Sequence, residues 1–241
     1  MPTAAAIIIG DEILSGKFVD ENSPWLIGRC KSLGIDLRRI CIISDEVSDI
    51  EETVARWRSR VDYVFTTGGV GPTHDDLTMF GIAAAFGVPL VRHPELVAML
   101  VEKLGERCND AALRMADVPE GAQLWWEGEL RFPQVVVGNV CIFPGVPALF
   151  KKKFDSVAHR FTTALPRQVR AQVTQAAEID IASGLRALSE RFPTVQVGSY
   201  PQFEVKPWTV KVTLDSRDLV ALDAAEIALG ALLAEAAHSE E

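Results

Sequence analysis

Over the first 165 residues, short apolar runs alternate with stretches of helical period. Ala4 to Ile9 is unbroken, leads into Gly10-Asp-Glu-Ile-Leu-Ser-Gly16, and reads as a strand buried on both faces. A helix is expected from about Ser23, with Pro24 in its first position, Leu26, Cys30 and Leu33 on one face, and Gly34 closing it. Leu37 to Ser44 is a second strand. A helix from about Ser48 to Arg60 leads to a third, Val61 to Phe65. A helix to about Phe86 follows, then a short strand around Leu90 and a helix from Pro94 with Leu96, Leu100 and Leu104 in its stripe. Leu124 to Trp126 and Val135 to Phe143 read as further strands, with Gly138-Asn139 a turn, before a helix through Phe150, Phe154 and Phe161. Strand alternating with helix predicts an α/β fold, a mainly parallel sheet with helices on both faces.

From about Pro166 the period changes. Val169, Ala171 and Val173 alternate with Gln168, Arg170, Gln172 and Thr174, and Trp208, Val210, Val212 and Leu214 form a second such run. Both suit strands with one exposed face. A helix around Leu185, a strand from Val195 to Gly198 and a final alanine-rich helix complete a β-α-β-β-α order. The expected division is therefore an α/β domain over 1–165 and a small α+β unit over 166–241.

Composition narrows the function. The 241 residues carry a formal net charge of −9, which argues against nucleic acid as a partner. Cys30, Cys41, Cys108 and Cys141 show no CxxC or zinc spacing, so reduced thiols and a cytoplasmic setting are expected. The apolar run at Ala4 to Ile9 is too short for a membrane span.

The chemistry centres on the stretch from Val61 to Thr78, a strand, a glycine-rich turn and the acidic first turn of a helix. Gly68, Gly69 and Gly71 permit positive φ and close approach to bare backbone. Thr73 and Asp76 are spaced as a capping box, and a helix start there would attract phosphate. The first three strands each run into an acidic pair: Asp11-Glu12, Asp45-Glu46 and Asp75-Asp76. Carboxylates repel phosphate, and a hard cation between them resolves the conflict. These pairs point to a shared metal or substrate site at one sheet edge. No P-loop, no Gly-x-Ser-x-Gly elbow and no GxGxxG continuation occurs, which sets aside P-loop nucleotidases, α/β-hydrolases and Rossmann dehydrogenases.

Thr66-Thr-Gly-Gly-Val-Gly-Pro-Thr-His-Asp-Asp-Leu-Thr78 resembles the signature of the MoaB/Mog molybdopterin-binding domain. Gly10 to Gly16, Glu21-Asn22, Asn139 to Pro147 and Gly198-Ser-Tyr-Pro201 narrow the likeness. They resemble the branch of the CinA (competence/damage-inducible protein) N-terminal domain and the corresponding domain of eukaryotic FAD synthases. The resemblance implies binding of molybdopterin, another phosphorylated pterin or an adenine dinucleotide. It also implies hydrolysis of a nucleotide pyrophosphate such as ADP-ribose or FAD with a divalent metal (Mg, Mn or Co). On it, Asp45 and Asp76 would be catalytic and Asp45, Asp75 and Asp76 would hold the metal. Gly68, Gly69, Gly71, Thr73, Asp11, Asn22, Pro144 and Gly145 would bind the ligand, and the chain would form a homo-oligomer. The alternative is a non-catalytic molybdopterin-binding or carrier protein. Neither nicotinamide-nucleotide amidase nor FAD-forming activity is expected, since neither domain is in the chain. Ser44-Asp45-Glu46 departs from the Gly-Asp-Asn usual in the branch and changes the polar group beside Asp45.

Overall fold

The alanine-isoleucine run forms β1 (Thr3–Ile9), and its alternate side chains enter two separate buried layers. The chain continues as α1 (Asp11–Leu14), α2 (Asn22–Ser32), β2 (Asp36–Ile43), α3 (Val47–Arg58), β3 (Tyr63–Thr67) and α4 (Thr78–Phe86). After these come β4 (Leu90–Arg92), α5 (Pro94–Leu104), α6 (Asp110–Arg114) and β5 (Asp117–Pro119). Then follow β6 (Gln123–Trp125), β7 (Gln134–Val137), β8 (Val140–Phe143) and α7 (Pro147–Val157). The computed structural model describes residues 2–127, 130–161, 167–202, 204 and 209–238. The chain divides into two compact units, Met1–Ala164 and Leu165–Glu241.

In the first unit, six strands form a sheet of order β2-β1-β3-β8-β7-β6. Strands β2, β1, β3 and β8 run parallel, while β8-β7 and β7-β6 pair antiparallel. Ala5, Ile7 and Ile9 pack with Ile50 and Val54 of α3, Ile82 of α4 and Leu96 of α5. Ala4, Ala6 and Ile8 pack on the other face with Leu26 and Cys30 of α2 and Phe150, Phe154 and Val157 of α7. Phe65, Phe143, Phe154 and Phe161 meet edge-on or tilted, with centroids 5.0–6.3 Å apart. Each such pair contributes roughly 0.5–1.5 kcal/mol beyond area burial. The cysteines are free, and burial pushes the Cys30 thiol up to about 12, as befits a structural residue. The expected α/β class and mainly parallel sheet are present.

Two local expectations differ. The strand at Leu90 does not join the main sheet; it pairs antiparallel with β5 as a separate ribbon. The helix after the glycine turn begins at Thr78, and residues 70–77 are turn and coil. Thr78 is drawn back onto the turn, its amide donating to Gly69 O (3.1 Å) and its hydroxyl to Gly68 O (2.8 Å). Asp75 and Asp76 therefore lie in a loop, outside any helix.

The second unit contains β9 (Gln168–Thr174), α8 (Glu178–Arg191), β10 (Gln196–Gln202), β11 (Thr209–Ser216) and α9 (Leu219–His238), the expected β-α-β-β-α order. Its antiparallel sheet has the order β10-β11-β9. Val210, Val212 and Leu214 of β11 are fully buried with Ile181, Leu222 and Leu229; Trp208 lies outside the described residues. Edge strand β9 keeps the predicted period with the opposite facing. Val169 and Val173 are 40% and 58% exposed. Gln172 instead donates to Glu226 O of α9, and Arg170 pairs with Asp223 and Glu226. The register explains it: Gln172 pairs with Val212 and Arg170 with Leu214, and paired residues share a face. Among the described residues no helix is long and apolar enough to cross a membrane.

Candidate functional site

In the first unit β1 lies between β2 and β3, so strand addition reverses direction there and the carboxyl ends of β1 and β3 flank a crevice. At the end of β3 the chain approaches β1 so closely that a Cβ on Gly68 would lie 2.0 Å from Ile9 O. Gly68 (φ +110°) and Gly69 (φ +58°) both have positive φ, so glycine is required on two counts. The turn after β8 presses on the same place, with a Cβ at Gly145 falling 3.1 Å from Gly68 Cα.

The loop is clasped from within. Gly68 N–H donates to Phe143 O (3.3 Å). Asp76 Oδ1 accepts from Gly71 N–H (2.6 Å), and Asp76 Oδ2 accepts from Thr73 N–H (2.8 Å) and the Thr73 hydroxyl. Gly68 and Gly71 thus spend their amides on the fold. The Gly69 and Val70 amides have no partner among the described residues and remain for a ligand. Glycines 68 and 71 contribute by their lack of a side chain: a Cβ at Gly71 would lie 2.7 Å from Asp76 Oδ2.

A second clasp joins three elements. Asn22, buried at the start of α2, donates through Nδ2 to Thr67 Oγ1 (3.0 Å) and Gly145 O (2.8 Å). Thr67 in turn donates its hydroxyl to Pro144 O (2.8 Å). Two carbonyl-directed bonds fix which end of the Asn22 amide is nitrogen. Asn22 Oδ1 is left buried with no hydrogen-bond partner among the described residues, an acceptor that a ligand or water could satisfy.

A cavity of about 970 Å³ opens against these clasps. Of the residues predicted from sequence, Asn22, Gly68, Gly69, Gly71, Asp76, Pro144 and Gly145 line it, whereas Asp11, Asp45, Thr73 and Asp75 do not. Asp45 sits behind the loop, where a Cβ on Gly69 would come 3.2 Å from its Oδ1, and its Oδ2 accepts the Asp11 N–H (2.9 Å). Burial first, then the charges of Glu12, Asp11 and Asp75, raise the Asp45 carboxyl above the usual aspartate range. Asp75 and His74 are exposed side by side (3.9 Å).

Asp45, Asp75 and Asp76 are not gathered into a ligand set; among the described residues no three His, Cys, Asp or Glu side chains are grouped to hold a metal ion. The donors fit a more open arrangement. Asp45 and its acidic neighbours form a patch short of positive charge, and Mg²⁺-type cations take one or two carboxylates plus substrate phosphate oxygens.

Glu12 of the first acidic pair also lines the cavity, as do residues not singled out from the sequence: Thr67, Phe132, Arg131, Lys152 and Lys153. One signal was available. Lys153 stands three residues after Phe150 and next to Phe154, on the apolar stripe of its helix.

The family profile described as "Probable molybdopterin binding domain" matches residues 5–164, and that described as "FAD synthase, middle domain" matches residues 166–241. A "Probable FAD synthase" of Caenorhabditis briggsae is 34% identical over 258 residues, covering 96% of this chain and 49% of the relative. The chain thus spans about half the length of that relative. A protein of Archaeoglobus fulgidus is 34% identical over 212 residues, 88% of this chain and 90% of its own. The solved structure of CinA from Thermoplasma acidophilum, a protein of unknown function, aligns at TM-score 0.61 and 27% identity, covering 67% of this chain and 99% of that one.

Proposed function

Because the chain belongs to the molybdopterin-binding domain family, joined here to a FAD synthase middle domain, we propose that it cleaves nucleotide pyrophosphates. Its ligand would be a phosphorylated pterin or adenine dinucleotide, and its substrate an ADP-ribose- or FAD-type pyrophosphate cleaved with a divalent metal. One observation carries the reading: open amides at Gly69 and Val70, held against a large cavity, stand beside an acidic patch in which Asp45 resists ionisation.

The amides of Gly69 and Val70 donate to phosphate oxygens, and the Asp76 clasp keeps them in place without ligand, so little reorganisation is needed on binding. Asn22 and Thr67 hold the Pro144-Gly145 wall against the loop. Asp45, with Glu12 and Asp75 beside it, would hold the metal together with the ligand's own oxygens. Once bound, the metal would neutralise the bridging oxygens and supply an activated water.

The experiment incubates the full chain with ADP-ribose, FAD, NAD or CoA and Mg²⁺, Mn²⁺ or Co²⁺, and follows nucleoside monophosphate by chromatography. Metal-dependent release from ADP-ribose or FAD is expected; no product from any pairing would overturn the assignment. A non-catalytic molybdopterin-binding role is favoured by one observation, that both Asp76 oxygens are already engaged. Tight binding without product would select it. The setting proposed is a cytoplasmic homo-oligomer, which light scattering of the purified chain tests.

A further inference from the structure

The cavity has a second charged wall that the proposed chemistry does not use. Arg131, before β7, and Lys152 and Lys153, on α7, all line it. None of the three has a carboxylate partner among the described residues, whereas Arg29, Arg92 and Arg160 of the same unit are paired with Asp155, Asp117 and Glu127. Lys153 is the least ordinary. Its ammonium donates to Pro133 O (2.8 Å) and lies 5.2 Å from the centre of the Phe132 ring. Burial alone pulls the amine down to about 8. A desolvated cation without a counter-charge is costly, and an anionic ligand removes the cost.

Different causes perturb the key groups of the two walls: burial lowers Lys153, whereas burial and neighbouring acids raise Asp45. No acid contributes to the perturbation of Lys153, and no cation contributes to that of Asp45. α7 starts two residues after Gly145, which packs on Gly68. At 1.5 Å per residue, Lys152 and Lys153 lie about 8–9 Å further along its axis. A ligand whose pyrophosphate sits on the glycine loop therefore meets these cations with another part of itself.

We propose that Arg131, Lys152 and Lys153 form a second anion subsite, for a phosphomonoester carried by the ligand apart from its pyrophosphate. The proposal rests on the pyrophosphate reading above and adds to it a preference, among pyrophosphate ligands, for those with an additional ribose phosphate. Such a group carries nearly two negative charges at pH 7, which suits three cations without a carboxylate partner among the described residues better than the single charge of a bridging phosphodiester.

The test is calorimetric titration of the full chain at pH 7 and fixed ionic strength with two matched pairs, NAD against NADP and dephospho-CoA against CoA. In the wild type the phosphorylated member is expected to bind at least tenfold more tightly. Lys153→Met, and separately Arg131→Met with Lys152→Met, should bring that ratio towards one, while Lys153→Arg should keep it. Circular dichroism confirms folding, and the wild-type ratio needs no variant. Equal affinities within each pair would overturn the subsite alone. A ratio that persists in both neutralised variants would place the extra phosphate elsewhere and also overturn it. Binding and cleavage of none of the four compounds, nor of ADP-ribose or FAD, would overturn the pyrophosphate reading and the subsite with it.

Discussion

The Gly71 amide donates to Asp76 Oδ1 at 2.6 Å, while Thr73 donates to the other oxygen of the same carboxylate. An acid that looks from sequence like a metal ligand thus braces the glycine loop from within. An Asp76→Asn chain keeps one acceptor but turns an NH₂ towards an N–H donor. Its affinity for inorganic pyrophosphate without metal should fall about tenfold, the worth of one hydrogen bond to a charged group. Isothermal titration checks this, and unchanged affinity would remove the clasp from the argument.

Asp45 should trade stability for function. Its folded pKa is raised, so its ionised form at pH 7 opposes folding; the penalty fades as pH falls through the raised folded value and is gone below the ordinary aspartate range. Asp45→Asn keeps an acceptor for the Asp11 N–H and discards the charge. Its melting temperature should exceed the wild type's at pH 7, with the gap closing towards pH 3. Metal-dependent turnover should drop by about 100-fold or more. Scanning calorimetry across that pH range, with rate measurements at pH 7, reads both effects.

Lys153 gives the opposite window. Its amine titrates near 8 in the fold against 10.5 unfolded, so its charge weakens the fold below pH 8 and the loss is recovered as pH rises towards 10.5. The stability of Lys153→Met relative to wild type should decline by at most about 3 kcal/mol between pH 7 and pH 10. Taking the difference matters because Cys30, held up to about 12, makes both chains less stable above pH 9. Urea denaturation at several pH values provides it, and a flat difference would contradict the burial argument.

Gly68→Ala should be far costlier than Gly87→Ala. Both have positive φ, but a Cβ at Gly87 meets nothing within 4 Å, whereas one at Gly68 would strike Ile9 O. Alanine at 87 should cost about 1 kcal/mol, the usual penalty of a left-handed non-glycine, and alanine at 68 more than about 3 kcal/mol or the fold itself. Denaturation midpoints compare the two.

Periodicity made most of the architecture legible before any coordinates. Ala4 to Ile9 could only be a strand covered on both sides, and the stripes of α5 and α7 could only be helices on a core. The glycine turn was legible as a turn, since Gly68 and Gly69 both take the positive φ that glycine permits. Where local pattern failed, a partner had decided. β9 shows its valines because its register with β11 and the reach of α9 set which face the helices cover. The short strand at Leu90 pairs with β5, a partner that no pattern within the strand itself specifies.

What the sequence determined by itself was the α/β class, the order of elements and the residues at the carboxyl ends of the strands, because these follow from side-chain period and backbone freedom. Tertiary structure alone decided what each group at that edge does. Asp76 turned inward to brace its own loop, Asp45 was set behind it among like charges, and Lys153 was buried with no acid paired to it among the described residues. Hydrogen bonding and desolvation depend on neighbours distant in sequence, and no local pattern encodes them.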